Sequence, residues 1–185
     1  METFEPLFGV TQEDIQKIIA SALSRGGDYA DVFFEYSTSD ELMLRDNEVN
    51  SVESSIDYGA GVRVLKEGRT GYAYSESTAM ADLLRAARTA SSIASEEAGE
   101  TGRIEIKPLA FTNRYPVLRS WDLMPLAARR EYLQKLNEMF TAGIPNISKV
   151  ICHLAIDDSR IMFCNSLGDF FCDFRPCTTL SVSCI

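Results

Sequence analysis

The sequence predicts an α+β fold in which antiparallel β meanders pack against about three helices. Apolar and polar residues alternate over residues 30–75 and 148–174, which is the period of half-buried strands. Three other segments repeat their apolar residues every three or four positions, as amphipathic helices do. The chain of 185 residues is 45% hydrophobic and contains 10 Phe, 7 Tyr and one Trp, which is enough for a folded core.

The first helix is predicted over residues 11–25. Thr11 and Asp14 have the spacing of a capping box at its start. Gly26 and Gly27 end it, because glycine accepts the left-handed conformation at a helix C-terminus. Its buried stripe consists of Ile15, Ile18, Ile19, Ala22 and Leu23. We expect this helix to cover a sheet.

Residues 30–75 are predicted to form an antiparallel meander with short connections. The first strand alternates as far as Leu44 and ends at the turn-like residues 46–48. The second begins near Val49 and ends at a hairpin loop of residues 66–69. The third strand follows this loop directly.

A second helix is predicted over residues 78–94, with Ser77 or Thr78 as its cap. Its apolar stripe consists of Met80, Leu83, Leu84, Ala87, Ala90 and Ala94. Residues 95–102 form a polar, glycine-containing break. Residues 103–121 lack periodicity and include two prolines, which predicts an extended connection that packs over the domain surface.

A third helix is predicted over residues 124–142, with Asp122 and Pro125 marking its start and Gly143 its end. Its apolar stripe consists of Leu126, Leu133, Leu136 and Phe140.

A second meander follows the third helix. It alternates from Val150 to Ile156, turns at residues 157–159, and returns through Ile161 and Phe163. It turns again at residues 165–168, after which Phe170, Cys172 and Phe174 alternate. Because a helix precedes each meander, the pattern also predicts a possible internal helix–meander duplication.

The sequence divides into an α+β half at residues 1–102, an extended connection at 103–122, and a helix with a meander at 123–185. Leu180, Val182 and Cys184 alternate with serines up to the last residue, so the sequence stops within a predicted strand. Three interpretations remain open: a truncated part of a longer protein, a strand completed by another subunit, or an ordinary C-terminal strand.

The charge pattern argues against several classes of partner. Residues 1–100 carry 19 acidic and 8 basic residues, and the whole chain has a formal net charge of −9. Because Lys and Arg supply the affinity for phosphates, we predict no direct binding of nucleic acid and none of anionic membranes. No apolar run reaches the roughly 18–20 residues of a membrane span, and residues 1–10 lack the basic residues of a targeting signal. The sequence therefore predicts a cytoplasmic protein.

The cysteines and the single histidine are candidate metal ligands by residue type. A zinc site can be written from Cys152, His153, Cys164 and Cys172, but adjacent strand residues point to opposite faces. No two cysteines have Cys-x-x-Cys spacing, and their number is odd, so a disulfide framework is not predicted. We therefore interpret the cysteines as small apolar side chains and His153 as a partly exposed residue.

Two further sets of residues are candidate sites by residue type. Residues 59–61 (Gly-Ala-Gly) are followed by a strand, whereas a phosphate-binding loop needs a helix N-terminus, so they indicate a bend or a close backbone approach. The acidic residues Glu35, Asp46, Glu48 and Asp57 can form pairs for acid–base chemistry, but an acidic sequence offers many accidental pairs. From residue chemistry alone we predict no catalytic, cofactor-binding or metal-binding residue in this chain.

Several segments, in order and spacing, resemble the N-terminal region of the TldD/PmbA family. They are Tyr29–Glu35, Arg45–Val49, Gly59–Val64, Gly71–Ser75, Asn165–Gly168 and Asp173–Pro176. The resemblance covers nearly all of residues 12–185. It implies the α+β N-terminal domain of a dimeric protein whose family was once described as modulators of DNA gyrase and is understood as metallopeptidases.

The resemblance also implies a function. TldD-type subunits carry zinc in a His-Glu-x-x-x-His motif and cleave unfolded peptides together with a PmbA-type partner that lacks the motif. No position here matches that motif, since Leu154 follows His153. We therefore expect a non-catalytic part of such a peptidase that serves as scaffold, dimerisation and peptide-chamber domain. The alternative is a stand-alone PmbA-like binding or assembly partner.

Overall fold

The computed structural model describes residues 4–94, 105–108 and 110–185, without the side chains of residues 4 and 5. Helices and long strands follow one another along the chain, which confirms the predicted α+β class. In chain order the elements are α1 Phe4–Phe8, α2 Gln12–Leu23, β1 Tyr29–Arg45, β2 Glu48–Lys66, β3 Arg69–Ser75, α3 Met80–Ala94, β4 Ala110–Phe111, a 3-10 helix Trp121–Leu123, α4 Leu126–Gly143, β5 Val150–Asn165 and β6 Phe170–Cys184.

Among the described residues the strands form one six-stranded sheet in the order β3-β2-β1-β5-β6-β4. Strands β2 and β3 are antiparallel, in a register that runs from Ala60 opposite Ser75 to Lys66 opposite Arg69. Both predicted turns of the first meander contain two consecutive residues with positive φ, 50° and 70° at residues 46–47 and 49° and 80° at residues 67–68. This is the type I′ geometry that suits the twist of a two-residue hairpin.

The chain forms two compact units, each assembled from separate segments. Unit 1 consists of residues 1–36, 57–113 and 160–174, and unit 2 of residues 37–56, 114–159 and 175–185. Strands β1, β2, β5 and β6 therefore contribute residues to both units. The predicted division at residues 102 and 122 is a statement about domains along the sequence, and it stays a prediction.

The core of unit 1 lies between helices α2 and α3 and one face of the strands. The α2 capping box is present, with the Asp14 N–H donating to Thr11 Oγ1 and Asp14 accepting from Thr11 N–H. The predicted stripe of α2 is buried at Ile15, Ile18, Ile19 and Ala22, against even-numbered strand residues such as Val32, Phe34, Val62 and Val64. Burying each of these larger side chains contributes roughly 1.5–3 kcal/mol, so this core holds the unit together.

The core of unit 2 lies beneath helix α4. Leu133 is fully buried against strand residues from β1 and β5, and Leu136 and Phe140 pack partly buried at its edge. The prediction that Leu126 belongs to this stripe is wrong, because its side chain is 49% exposed. The strand residues of this core are Leu42, Leu44, Val150, Cys152, Leu154 and Ile156.

The predicted turn at residues 157–159 is wrong, because β5 runs unbroken from Val150 to Asn165. Ser39 Oγ donates to Asp157 Oδ1 at 2.7 Å, so this turn-forming residue is satisfied within the strand. Even-numbered residues are buried from Val150 to Ile156 and again at Met162 and Cys164, and Ile161 is buried as predicted. Phe163, predicted to point inward, is partly exposed.

The turn at residues 165–168 is present as predicted. Asn165 Oδ1 accepts from the backbone N–H groups of Leu167 and Asp169, at 3.0 and 2.9 Å. Gly168 adopts a φ of 85°, which closes the turn. Local side-chain bonding therefore decides this turn.

Part of the extended connection adds to the sheet. Ala110–Phe111 form β4, which pairs in parallel with Phe171–Cys172 of β6. Gln12 Nε2 donates to the carbonyl oxygen of the buried Ile106, which fixes the preceding segment to α2. The predicted polar break at residues 95–102 lies outside the described residues, and the internal duplication stays a prediction.

Candidate functional site

The residues that could be written as a zinc site do not fit that metal. Cys152 lies in the core of unit 2, whereas Cys164 and Cys172 lie in the core of unit 1. Burial raises the pKa of Cys152 and raises that of Cys164 to about 12, and zinc ligation needs a thiolate. Among the described residues no cluster of three or more His, Cys, Asp or Glu side chains could hold a metal ion.

The cysteine interpretation is confirmed for three of the five. Cys152, Cys164 and Cys172 are buried as small apolar side chains, but Cys177 and Cys184 are exposed, so that prediction is wrong for these two. His153 is partly exposed as predicted, and its Nε2 lies 3.2 Å from Glu41 Oε2.

Two of the four candidate acids come together. Glu35 and Asp57 line one open cavity of about 280 Å³ on the face of unit 1 opposite its helices. Asp46 lies elsewhere and has a structural role, since its Oδ1 accepts from Val150 N–H at 3.0 Å. Glu48 is exposed at the start of β2.

This cavity, which we call the aromatic cavity, also contains the Gly59–Gly61 segment. Strand β2 continues through it, and a Cβ on Gly61 would lie 3.0 Å from Tyr72 Cε2 and Cζ. A Cβ on Gly59 would overlap the Ser75 carbonyl oxygen. The predicted role in close approach is therefore confirmed. The other residues that line the aromatic cavity are Phe33, Tyr58, Ala60, Tyr72, Tyr74, Ser75 and Glu76.

A second feature, in unit 2, was not predicted from the sequence. The guanidinium of Arg129 donates to the carbonyl oxygens of Met124 and Trp121 and to Asp40 Oδ2, each at 2.9 Å. Asp40 Oδ1 also accepts from Ser54 Oγ at 2.7 Å. The Arg129 guanidinium, with help from Ser54, lowers the pKa of the Asp40 carboxyl. No local sequence signal pairs residues 89 positions apart.

These groups border a cavity of about 340 Å³ in unit 2. It is lined by Asp40, Glu41, Leu42, Val52, Glu53, Ser54, Asp122, Met124, Pro125, Leu126, Arg129, Leu154 and Ile156. Its walls combine apolar side chains with carboxylates, of which Asp40 is held in place by hydrogen bonds from Arg129 and Ser54. The consequence is a preformed depression beside strands β1 and β2.

The same region leaves one edge of β2 open. The pairing of β2 with β3 starts only at Ala60, and in the described part of the chain residues 48–56 have a neighbouring strand on the β1 side alone. We call residues 48–56 the open edge. Its apolar residues Val49, Val52 and Ile56 are 46%, 50% and 65% exposed. It contains neither Lys nor Pro, which commonly protect exposed edges from pairing, and its charged residues are Glu48 and Glu53.

Comparison with known proteins finds similarity to metallopeptidases of the TldD/PmbA type. Residues 30–94 match the model of the PmbA/TldA metallopeptidase domain 1. The chain is 28% identical over 164 residues to a metalloprotease TldD homolog of Haemophilus influenzae, a match that covers 86% of this chain and 33% of that protein. A second TldD homolog, from Buchnera aphidicola, is 20% identical over 94% of this chain and 36% of its own length. The chain thus spans about a third of these relatives.

Solved structures share the fold. A proposed modulator of DNA gyrase from Bacteroides thetaiotaomicron matches with a TM-score of 0.69 at 16% identity, over 94% of this chain and 40% of that one. A similar protein from Thermotoga maritima gives 0.67 at 15% identity, over 98% and 43%. TldE from Thermococcus kodakarensis gives 0.58 at 15% identity, over 91% and 39%.

No helix in the described residues is both long and apolar enough to cross a membrane. The match at residues 30–94 contains several of the motifs on which the predicted resemblance rests. The fold agrees with that of the solved structures over almost the whole chain. The predicted resemblance is therefore confirmed: residues 30–94 match domain 1 of the PmbA/TldA metallopeptidases, and the chain is similar to part of the TldD homologs.

Proposed function

We propose that this chain is the non-catalytic N-terminal part of a TldD/PmbA-type metallopeptidase and that it holds an unfolded peptide by adding it as a strand to the open edge. Its other roles are those of scaffold and dimerisation domain, in a homo- or heterodimer with a TldD/PmbA-type subunit in the cytoplasm. The zinc of the full-length protein would be held outside this chain. Neither nucleic acid nor a membrane is a partner in this proposal.

The observation that carries the proposal is the open edge beside the unit 2 cavity. An extended peptide that pairs with residues 48–56 obtains its affinity from main-chain hydrogen bonds, which do not depend on its sequence. Val52, Glu53 and Ser54 belong both to the open edge and to the cavity wall, so alternate peptide side chains would enter the cavity. This combination suits unfolded substrates of varied sequence.

The first test is amide hydrogen exchange of the 185-residue chain with and without an excess of a synthetic eight-residue peptide of alternating Thr and Val. We expect added protection at residues 48–56 and at the peptide itself. Protection that falls elsewhere, or no binding at millimolar peptide, would contradict strand addition.

A pair of proline variants sharpens this test. In an edge strand, successive backbone N–H groups point alternately to the neighbouring strand and outward. Proline removes the N–H group at its position. Of the variants Ser51→Pro and Val52→Pro, one therefore loses a hydrogen bond to β1, and the other loses only an N–H group that points outward. We expect one of the two to keep the wild-type Tm within about 2 °C and yet lose peptide binding. The matched variants Ser51→Thr and Val52→Thr should bind normally. Normal binding by the stable proline variant would refute the role of the open edge.

The non-catalytic assignment has its own measurement. The purified chain should contain no stoichiometric zinc and should not cleave an unfolded peptide. A full-length relative should contain zinc and should cleave the same peptide. Stoichiometric zinc together with cleavage by this chain would overturn the proposed division of roles.

A further inference from the structure

We propose that the aromatic cavity of unit 1 is a second docking point, which takes the Lys or Arg side chain of an extended polypeptide. The inference rests on the proposed function for its type of partner, a peptide, but its residues lie in unit 1 and none belongs to the open edge. It assigns a side-chain preference to a protein whose main-chain pairing alone would have none.

The first step is the exposure of the aromatic walls. Tyr72 and Tyr74 are 57% and 70% exposed, and Phe33 is 37% exposed, on a sheet face that the helices of unit 1 do not cover. A cation over an aromatic ring is attracted by the ring quadrupole, and Tyr is a good partner for it. Gly61 allows the Tyr72 ring to lie across β2, since a side chain there would collide with the ring.

The second step is the sign of the charge. The lining includes three carboxylates, Glu35, Asp57 and Glu76, and no Lys, Arg or His. Arg63, the closest cation along β2, is committed to Asp31, to which its Nε and Nη2 donate at 3.0 and 2.5 Å. A partner with complementary charge is therefore cationic, and Asp57 and Glu76 are the carboxylates that would face it.

The third step is size. A volume of about 280 Å³ lies below the usual range of roughly 300–1,000 Å³ for pockets that enclose a small molecule. The cavity is also open, so an occupant can enter as one side chain while its backbone stays outside. A Lys or Arg side chain, with an apolar stem against the rings and a charged head beside the carboxylates, meets these conditions.

The experiment compares two dye-labelled seven-residue peptides, Gly-Ser-Gly-Xaa-Gly-Ser-Gly, in which Xaa is Lys or norleucine. Binding to the 185-residue chain is followed by fluorescence anisotropy at low and high NaCl. We expect the Lys peptide to bind at least about tenfold more tightly, and salt to reduce this preference because the carboxylates are exposed. Equal binding of the two peptides would overturn the proposal.

Variants locate the effect. Tyr74→Leu should weaken the Lys peptide about two- to fivefold, the range of an exposed cation–π contact. The double change Asp57→Asn with Glu76→Gln should weaken it further and remove most of the salt dependence. Both positions are exposed, so these variants should fold. Matched controls, Glu13→Gln on α2 and Tyr132→Leu on α4, should bind like the wild type. Unchanged affinity in the cavity variants would refute the site.

Two outcomes separate this inference from its alternatives. If putrescine binds and the Lys peptide does not, the occupant is a free polyamine and the proposal of a peptide partner fails. If the Lys preference is found while the open-edge tests fail, the aromatic cavity stands and the strand-addition proposal falls. The two proposals are tested by different residues, so one result does not decide the other.

Discussion

Adding one methyl group at Gly71 tests how tightly helix α3 is seated on the sheet. Gly71 is buried in β3, opposite Val64 of β2. A Cβ at this position would overlap the carbonyl oxygen of Ala90 and lie 2.9 Å from Ala90 C and Ala94 N, which are backbone atoms of α3. No side-chain rotation can relieve such a contact, so the helix itself must move.

The magnitude follows from the geometry. Carbon contacts are comfortable at about 3.5–4.0 Å, so α3 must retreat by roughly 1 Å. A gap of that size forfeits about a quarter to a half of the contact energy along the buried stripe of α3, which consists of Leu83, Ala86, Ala87, Ala90, Ser91 and Ala94. With about 0.8 kcal/mol for each buried methyl-sized group and about 2 for the Leu, we expect Gly71→Ala to lower the free energy of unfolding by about 1.5–3 kcal/mol.

Two glycine-to-alanine controls use the same change where the space is open. Neither Gly68 nor Gly143 has an atom within 4 Å of its added Cβ. Gly68 has a φ of 80°, so its Ala variant should lose about 1 kcal/mol through backbone strain alone. Gly143 ends α4, and its Ala variant should be neutral or more stable by up to about 1 kcal/mol.

Urea unfolding followed by circular dichroism measures all three variants, and their m-values check that the unfolded states are comparable. A loss below about 0.5 kcal/mol for Gly71→Ala, or a loss no larger than that of Gly68→Ala, would refute the close seating of α3. A loss of several kcal/mol in Gly143→Ala would show that the controls do not isolate the steric effect.

The remaining predictions concern unit 2 and the thiols. Arg129→Met should lower the free energy of unfolding in urea by about 2 kcal/mol, because two backbone carbonyls and Asp40 lose a charged hydrogen-bond donor. A change within about 0.5 kcal/mol would show that these hydrogen bonds do not stabilise the fold. Because Arg129 lowers the Asp40 pKa below its usual 3.8, the pairing stabilises the fold above pH 3.8, and this stabilisation is lost as the pH falls through the lowered pKa. An NMR titration should find a higher Asp40 pKa in Arg129→Met than in the wild type. An unchanged pKa would contradict Arg129 as the cause of the shift. Leu133→Ala should lose about 2–5 kcal/mol, whereas the exposed Leu126→Ala should lose less than 1, and equal losses would contradict the α4 packing. Ellman's reagent should modify Cys177 and Cys184 rapidly in the native chain and all five cysteines only in guanidinium; rapid native modification of Cys164 would contradict its burial.

Local chemistry made much of the fold predictable. The capping pattern at Thr11 and Asp14 and the isoleucine stripe after it depend on contacts within one helical turn, and both are present. The hairpin turns at residues 46–47 and 67–68 likewise depend on which residues tolerate positive φ. The motifs of β1 to β3 also carried the resemblance that the family comparison confirms, because they lie within the matched segment.

Prediction from local sequence failed where contacts between distant residues determine the structure. Asp157, Asp158 and Ser159 favour a turn in isolation, yet the neighbouring strand supplies Ser39 as a partner for Asp157 and the chain continues straight. Helix α4 was placed correctly, but sequence periodicity could not show that Leu126 lies beyond the core it would join.

Sequence alone determined the class of each element, the absence of any position matching the zinc motif, and the family resemblance, because these depend on residue types and their spacing. Tertiary structure decided which residues meet. It placed Glu35, Asp57, Tyr72 and Tyr74 around one cavity, joined Arg129 to Asp40, and left residues 48–56 without a second neighbouring strand in the described chain. Pairing between strands and packing across a sheet act through space at any sequence separation, so no short-range pattern encodes them.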